Sequence, residues 1–289
     1  MEDQFSDYFK SINLETWLKV FSKNVWKRLG FSQKFKNELK TYETTITQNL
    51  IFEFLEFARL TNNPSMRLLE ARDESTNGND IEIFVQYKDG YILFPAQAKS
   101  VYPSGKYEKI SHGSGGKFQI HSLIDYAIKK QGIPVYLFYN YHGEWRDVID
   151  WEKSLGFEYD CFGCSFVNAH LMESQYLDAA RSAWKIPSFF DLHPIPAIPL
   201  FQILEWEKMD NLWKESKPTI PELALYRVDE VFDEKNWVDR TPPPKISGFP
   251  KEEHFYQGII QVNQPVFSPK FRMVLAQYEM SWGGLWYLK

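Results

Sequence analysis

The stretch "DIEIFVQYKDGYILFPAQAKS", residues 80–100, decides the fold. Two runs rich in Ile, Phe, Val and Tyr flank the polar turn Lys88-Asp89-Gly90, a pattern that predicts an antiparallel hairpin. Side chains alternate along a strand, so Ala96 and Ala98 face one way while Gln97 and Lys99 face the other. Asp80 and Glu82, two residues apart, share one face of the first strand. A lysine on an apolar strand is costly to bury unless something needs its charge. If the register makes the two polar faces coincide, Asp80, Glu82 and Gln97 bring oxygen donors to a strand end beside the Lys99 ammonium. Hard divalent cations take such donors.

Outward from the hairpin, the flanking segments predict an α/β core. Upstream, "NLETWLKVFSKNVWKRLG" (13–30) and "ETTITQNLIFEFLEFARL" (43–60) carry apolar residues at helical spacing. Asn13 suits an N-cap and Gly30 a stop. Downstream, "VYPSGKYEKISHGSGGK" (101–117) is rich in Gly and Ser and predicts a mobile loop. "FQIHSLIDYAIKKQG" (118–132) follows as an amphipathic helix ending at Gly132, and "IPVYLFYNY" (133–141) as a strand buried on both faces. Beyond Tyr141 the signals weaken. "SLGFEYDCFGCSFVNAHLM" (154–172) suits a loop or short strand leading into a helix, and "IPSFFDLHPIPAIPL" (186–200) is too proline-rich for regular structure. "TPPPKISGFP" (241–250) suits a linker or surface loop, and residues 257–284 suit pairing strands.

With 289 residues, 44% of them hydrophobic and 17% aromatic, the chain has ample material for a large core. Its acidic opening, "MEDQFSDYF", does not resemble a signal peptide, and no apolar run approaches the roughly 20 residues that span a bilayer. Two cysteines make no disulfide framework, so a cytoplasmic location is expected. The net charge of −5 argues against a dedicated nucleic-acid coat protein. Local basic stretches nevertheless exist: Lys10, Lys19, Lys23, Lys27, Arg28, Lys34, Lys36 and Lys40, then Lys106, Lys109, Lys117, Lys129 and Lys130. They are compatible with transient DNA binding and equally with solvated helix faces.

The order of an acidic helix residue, an Asp, a hairpin and then Gln-x-Lys resembles the PD-(D/E)xK nuclease superfamily. More closely, it resembles the Mrr-like branch, in which Gln replaces the usual acid. "NGND-IEI" (77–83) is similar to the pattern in which a glycine precedes the catalytic Asp. "YETTITQNL" (42–50), "QAKS" (97–100), the Gln119-x-x-x-Leu-x-x-Tyr126 run and "PVYLFYNY" (134–141) resemble a set of uncharacterised bacterial restriction-endonuclease-like proteins. The likeness covers about residues 41–170 and extends toward 200. It implies a mixed central sheet flanked by helices over 41–200, an N-terminal helical extension over 1–40 and a C-terminal extension of unknown role over 201–289. It also implies roles. Asp80 is the central metal ligand, Gln97 and Lys99 the second motif, Glu43 the acid of the first helix and Gln119 an orienting residue. Glu82 lies outside the pattern and ranks as an auxiliary ligand. The implied cofactor is Mg²⁺ or Mn²⁺, held by Asp80, Gln97, Glu43 and Glu82.

Other motifs carry bland explanations. "GSGGK" (113–117) lacks the spacing of a phosphate-binding loop and has no Ser or Thr after its lysine. Cys161 and Cys164 form C-x-x-C near His170 but lack a second ligand pair, so packed thiols are expected. His112 and His121 suit surface or packing roles. The expected function is therefore metal-dependent hydrolysis of DNA, double-stranded, by an endonuclease of restriction or anti-phage defence. Two alternatives stand beside it: a non-catalytic nucleic-acid-binding module on the same fold, and a regulatory subunit that binds a protein partner. The expected partners are DNA and either a second copy of the chain or a defence-system protein, with no membrane.

Overall fold

The computed structural model describes residues 13–35, 43–61, 63, 65–71, 80–111, 113–114, 117–143, 149–178, 183–232, 237–241 and 269–277. Two helices open it, α1 (Leu14–Lys34) and α2 (Glu43–Thr61), followed by β1 (Arg67–Ala71) and the hairpin β2 (Asp80–Tyr87) and β3 (Gly90–Ser100). The short pair β4 (Gly113–Ser114) and β5 (Lys117–Phe118) precedes α3 (Gln119–Lys130) and β6 (Val135–Tyr139). Then come α4 (Ile149–Leu155), β7 (Cys164–Asn168), α5 (Ala169–Tyr176), the pair β8 (Leu177–Asp178) and β9 (Ala183–Trp184), α6 (Phe189–Leu192) and β10 (Ile198–Pro199). Helices α7 (Trp206–Ser216) and α8 (Val228–Val231) lead to β11 (Trp237–Asp239) and β12 (Phe271–Leu275).

Eight strands form one mixed sheet in the order β10-β7-β6-β3-β2-β12-β1-β11. β2 and β3 pair antiparallel, with Asp80 opposite Gln97 and Glu82 opposite Pro95. β3 and β6 run parallel, with Lys99 beside Phe138 and Ser100 beside Tyr139. The alternation of β6 divides the core into two layers. Val135, Leu137 and Tyr139 join α1 and α2 on one face, while Tyr136 and Phe138 join Ile120, Leu123 and Ile124 of α3 on the other. The polar residues of the hairpin lie on the α3 side.

Several local expectations change in the structure. Asn13 caps α1, its Oδ1 accepting the Thr16 N–H at 2.8 Å, but the helix runs past Gly30 to Lys34. A side chain at Gly30 would meet the Tyr141 ring, so this glycine serves close packing rather than termination. Helix α3 ends on Gln131, whose φ of 49° is left-handed, and Gly132 instead lets the Leu93 carbonyl approach to 2.7 Å from where a Cβ would sit. The stretch expected as a mobile loop is folded where described: a 3-10 turn spans Glu108–Ser111, and β4 pairs with β5.

The expected boundary at residue 200 does not separate the regions, because β12 lies between β2 and β1 inside the main sheet. The boundary at residue 40 is also crossed by packing, since Leu18, Phe21 and Val25 of α1 share a core with the sheet. Of the proline-rich segments, 186–200 forms α6 under a Ser188–Asp191 capping box and then β10. Residues 242–250, expected as a linker, lie outside the described residues. Among the described residues no helix is long and apolar enough to cross a membrane.

Candidate active site

Strand β3 carries the first two groups. Gln97 and Lys99 are each 6% exposed, on the face covered by α3. That helix starts at Gln119, and the Lys99 ammonium donates to Gln119 Oε1 at 3.1 Å. A residue in the first turn of a helix is thereby tied to a strand end, as the stripe of α3 requires. The register brings Asp80 directly opposite Gln97.

Glu43 arrives from the other layer. It is the first residue of α2, and Thr47 one turn on bonds the Tyr139 hydroxyl at 2.9 Å inside the core. Tyr139 lies beside Ser100, so this contact holds the helix start over the end of β3. The Glu43 carboxylate accepts the Ser100 backbone N–H and lies within the fields of Lys99 and Lys109. Burial nevertheless pushes its pKa above the ordinary 4.5, with Lys99, Lys109 and the Ser100 N–H opposing the rise. Two lysines do not fully offset the cost of placing this carboxylate there.

Glu82, expected as an auxiliary metal ligand, is committed elsewhere. Its Oε2 takes Nε and Nη2 of Arg272, each at 2.7 Å, and its Oε1 takes the Tyr126 hydroxyl at 2.5 Å. Arg272 also donates to the Val231 carbonyl at 2.6 Å, and its guanidinium lies 4.8 Å from the Phe84 ring centroid and 4.2 Å from that of Trp237. Both oxygens are thus occupied by protein donors in a buried pair. The metal-ligand role expected for Glu82 gives way to a structural one. The signal for Arg272 was present in "FRMVL" (271–275), a lone cation on an apolar strand, the same feature that singled out Lys99.

A second buried network had no sequence signal. Tyr107 donates to Asn140 Oδ1 at 2.6 Å, Asn140 Nδ2 donates to the Phe162 carbonyl at 2.7 Å, and Ser165 Oγ meets His193 Nε2 at 2.8 Å. His193 Nδ1 lies 3.0 Å from the Phe189 carbonyl, which makes Nδ1 the protonated nitrogen and Nε2 the acceptor. Burial lowers the His193 pKa to about 3. The Ser–His pair is sealed, with Ser165 wholly buried and His193 2% exposed, so it cannot meet a substrate. Its role is to hold the chain on either side of β7.

The thiols behave as expected for packed cysteines. Cys161 and Cys164 are free and buried, and burial raises both, Cys161 to about 11. His170 bonds Thr219 at 2.9 Å, and His121 pairs with Glu173 at 3.3 Å. His112 lies outside the described residues. Among the described side chains, no three of His, Cys, Asp or Glu gather as a metal centre.

Fold and site together define an α/β protein whose mixed sheet buries a lysine and an amide near one strand end, where the first residue of a helix brings a half-buried carboxylate. A family model described as a family of unknown function, DUF6615, matches residues 14–278, and the chain belongs to that family. No curated protein and no solved structure matches it.

Proposed function

We propose that this chain is a metal-dependent phosphodiesterase that hydrolyses DNA, an endodeoxyribonuclease of restriction-endonuclease-like fold. The observation that carries this proposal is the meeting of Glu43, Gln97, Lys99 and Gln119 around one strand end, with Asp80 opposite Gln97 in register. Helix, hairpin, helix and buried strand follow one another as the sequence predicted for an α/β core, an order compatible with the PD-(D/E)xK resemblance.

The donor set fits a hard divalent cation. Glu43 and Asp80 offer carboxylates and Gln97 a carbonyl, all oxygen ligands of the kind Mg²⁺ or Mn²⁺ takes. The incompletely offset burial of Glu43 is the condition that such a cation relieves. When bound, the ion would activate water and polarise the phosphodiester. The protein's own groups do the rest. Lys99 supplies a fixed positive charge for the oxygens on which negative charge grows, and Gln119 holds its ammonium in place. Glu43 balances that charge from the start of α2.

Supercoiled plasmid incubated with Mg²⁺ or Mn²⁺ tests the proposal: wild type nicks or linearises it, and Lys99→Ala does not. A neutral Gln97 where an acid commonly sits favours a second possibility, a nucleic-acid-binding module without turnover. A mobility shift with no cleavage in either metal would select that alternative. A role in restriction or anti-phage defence belongs to the same proposal and is tested by phage plating on cells that carry wild type or Lys99→Ala.

A further inference from the structure

The hairpin has a second end. Lys99 lies nine residues along β3 from Gly90, roughly 30 Å at the rise of a strand, and at the turn the surface opens into a cavity of about 620 Å³. Volumes of this size hold small molecules. Leu204, which ends the 3-10 turn Leu200–Leu204, and Met209 of α7 give the cavity apolar lining. Tyr87 at the end of β2 and Trp206 at the start of α7 line it with stacked rings, their centroids 4.1 Å apart and their planes 21° from parallel. The remaining chemistry comes from the turn. Tyr87 pairs with Gly90, so Lys88 and Asp89 form a two-residue loop, and both are exposed and line the cavity. Lys88 has a φ of 52°, a left-handed conformation that glycine takes most readily, and its Nζ lies 5.0 Å from the centroid of the Tyr87 ring. The loop is mounted firmly, since Tyr91 and Tyr226 exchange backbone hydrogen bonds at 2.9 and 2.8 Å just beyond it.

The lining selects among ligands. A purely apolar molecule would leave the Lys88 ammonium and the Asp89 carboxylate without use, and a bare anion would leave the stacked rings without use. A flat π-system extends the Tyr87–Trp206 stack. An anionic group meets Lys88. Asp89 accepts hydrogen bonds and cannot donate them while ionised, so the flat group must offer N–H donors along one edge. Among the common nucleobases, guanine presents two adjacent N–H donors on one edge. We propose that this cavity binds a guanine nucleotide, with its base on the Tyr87–Trp206 stack, its N–H edge on Asp89 and its phosphate on Lys88. The inference does not depend on the nuclease proposal, because the cavity and the Lys99 strand end lie at opposite ends of the hairpin.

The test is isothermal titration calorimetry of the full-length protein with GMP, guanosine and AMP. Wild type should take up one GMP, roughly 10-fold more tightly than guanosine or AMP. Lys88→Gly should weaken GMP roughly 10-fold and leave guanosine unchanged, and it should melt no lower than wild type because glycine suits the backbone at that position. Asp89→Asn should remove the preference for GMP over AMP. Trp206→Ala should weaken GMP and guanosine alike, with recovery in Trp206→Phe. Lys99→Ala should bind GMP as wild type does, whether or not the protein cleaves DNA. Unchanged GMP affinity in both Lys88→Gly and Trp206→Ala would overturn the inference. So would loss of GMP binding in Lys99→Ala, which would put the nucleotide at the other end of the hairpin. Wild type that binds no GMP at millimolar concentration would overturn it as well, and would leave the nuclease proposal standing.

Discussion

Lys99 and Arg272 are two cations on apolar strands of one sheet, and each is 6% exposed. Their surroundings differ in kind. Arg272 meets a carboxylate through two nitrogens, a carbonyl through a third, and two aromatic rings. Its partner Glu82 has both oxygens filled. Lys99 instead donates to a neutral amide and faces Glu43, a carboxyl that burial still destabilises. The difference teaches where to look for chemistry. A buried charge whose partners are complete holds a fold together, whereas a carboxylate whose burial its neighbours do not fully offset, as at Glu43, is ready for something that arrives.

The largest expected effect lies on the complete side. Arg272→Ala leaves Glu82 buried with one hydroxyl donor, and breaking a buried pair in this way costs about 3–5 kcal/mol. Since Arg272 joins β12 to β2, chemical denaturation should show a much lower midpoint, and limited proteolysis should open the C-terminal region first. A loss below about 1 kcal/mol would mean that Glu82 escapes to solvent and that the contrast is false.

Next comes the strand end of Lys99. Lys99→Ala should lower cleavage by about 10²–10³-fold, the scale on which one fixed charge at a reacting centre acts. Duplex affinity in Ca²⁺ and the melting temperature should shift little, because the charge is used chiefly in the transition state. Full activity in this variant would make Lys99 a second Arg272.

How far the sequence revealed these two regions follows from what each one needs. The hairpin and the helices at 43–61 and 119–130 are local patterns, and period and turn chemistry expose them, while the register stayed conditional until the strands were seen to pair. Gln97 and Lys99 could be placed from the alternation of the hairpin, whereas Glu43 and Gln119 were singled out only through the resemblance to the PD-(D/E)xK nucleases. Glu82 was misassigned because its partner lies 190 residues away on β12, and no periodicity reports a pairing so distant. Strand β1 and helix α7 escaped for a similar reason: their patterns are short, and tertiary packing decides them. The loop at 101–117 misled in the other direction. Its Gly and Ser content signals freedom, but Tyr107 and Ile110 anchor it in the core.

A finer comparison sets one neutral group from each region side by side. Tyr126→Phe removes a hydroxyl from Glu82 and should cost about 1.5–3 kcal/mol of stability, the range for a hydrogen bond to a charged group, with cleavage unchanged. Gln119→Ala removes one acceptor of Lys99 and should leave stability nearly intact while lowering kcat roughly 10-fold. Denaturant melts and single-turnover cleavage on the same two proteins would separate these effects. If both variants lost stability alone, the two regions would be alike.

The smallest effect has the most telling sign. Burial raises the Glu43 pKa, so the folded protein holds that proton more tightly than the unfolded chain does. The resulting stability is fully present below the unfolded value near 4.5 and is lost as pH rises through the higher folded value. At neutral pH the charged carboxylate is therefore a liability, and Glu43→Gln removes it. The variant should melt as wild type does in acid and somewhat higher near neutrality, while cleavage disappears. Glu82→Gln should do the opposite at neutral pH, since it leaves Arg272 facing a neutral amide. Thermal melts of both variants across the acid-to-neutral range decide the matter. If Glu43→Gln destabilised the neutral protein as Glu82→Gln does, Glu43 would be one more complete structural partner, and nothing at that strand end would be waiting for a cation or a phosphate.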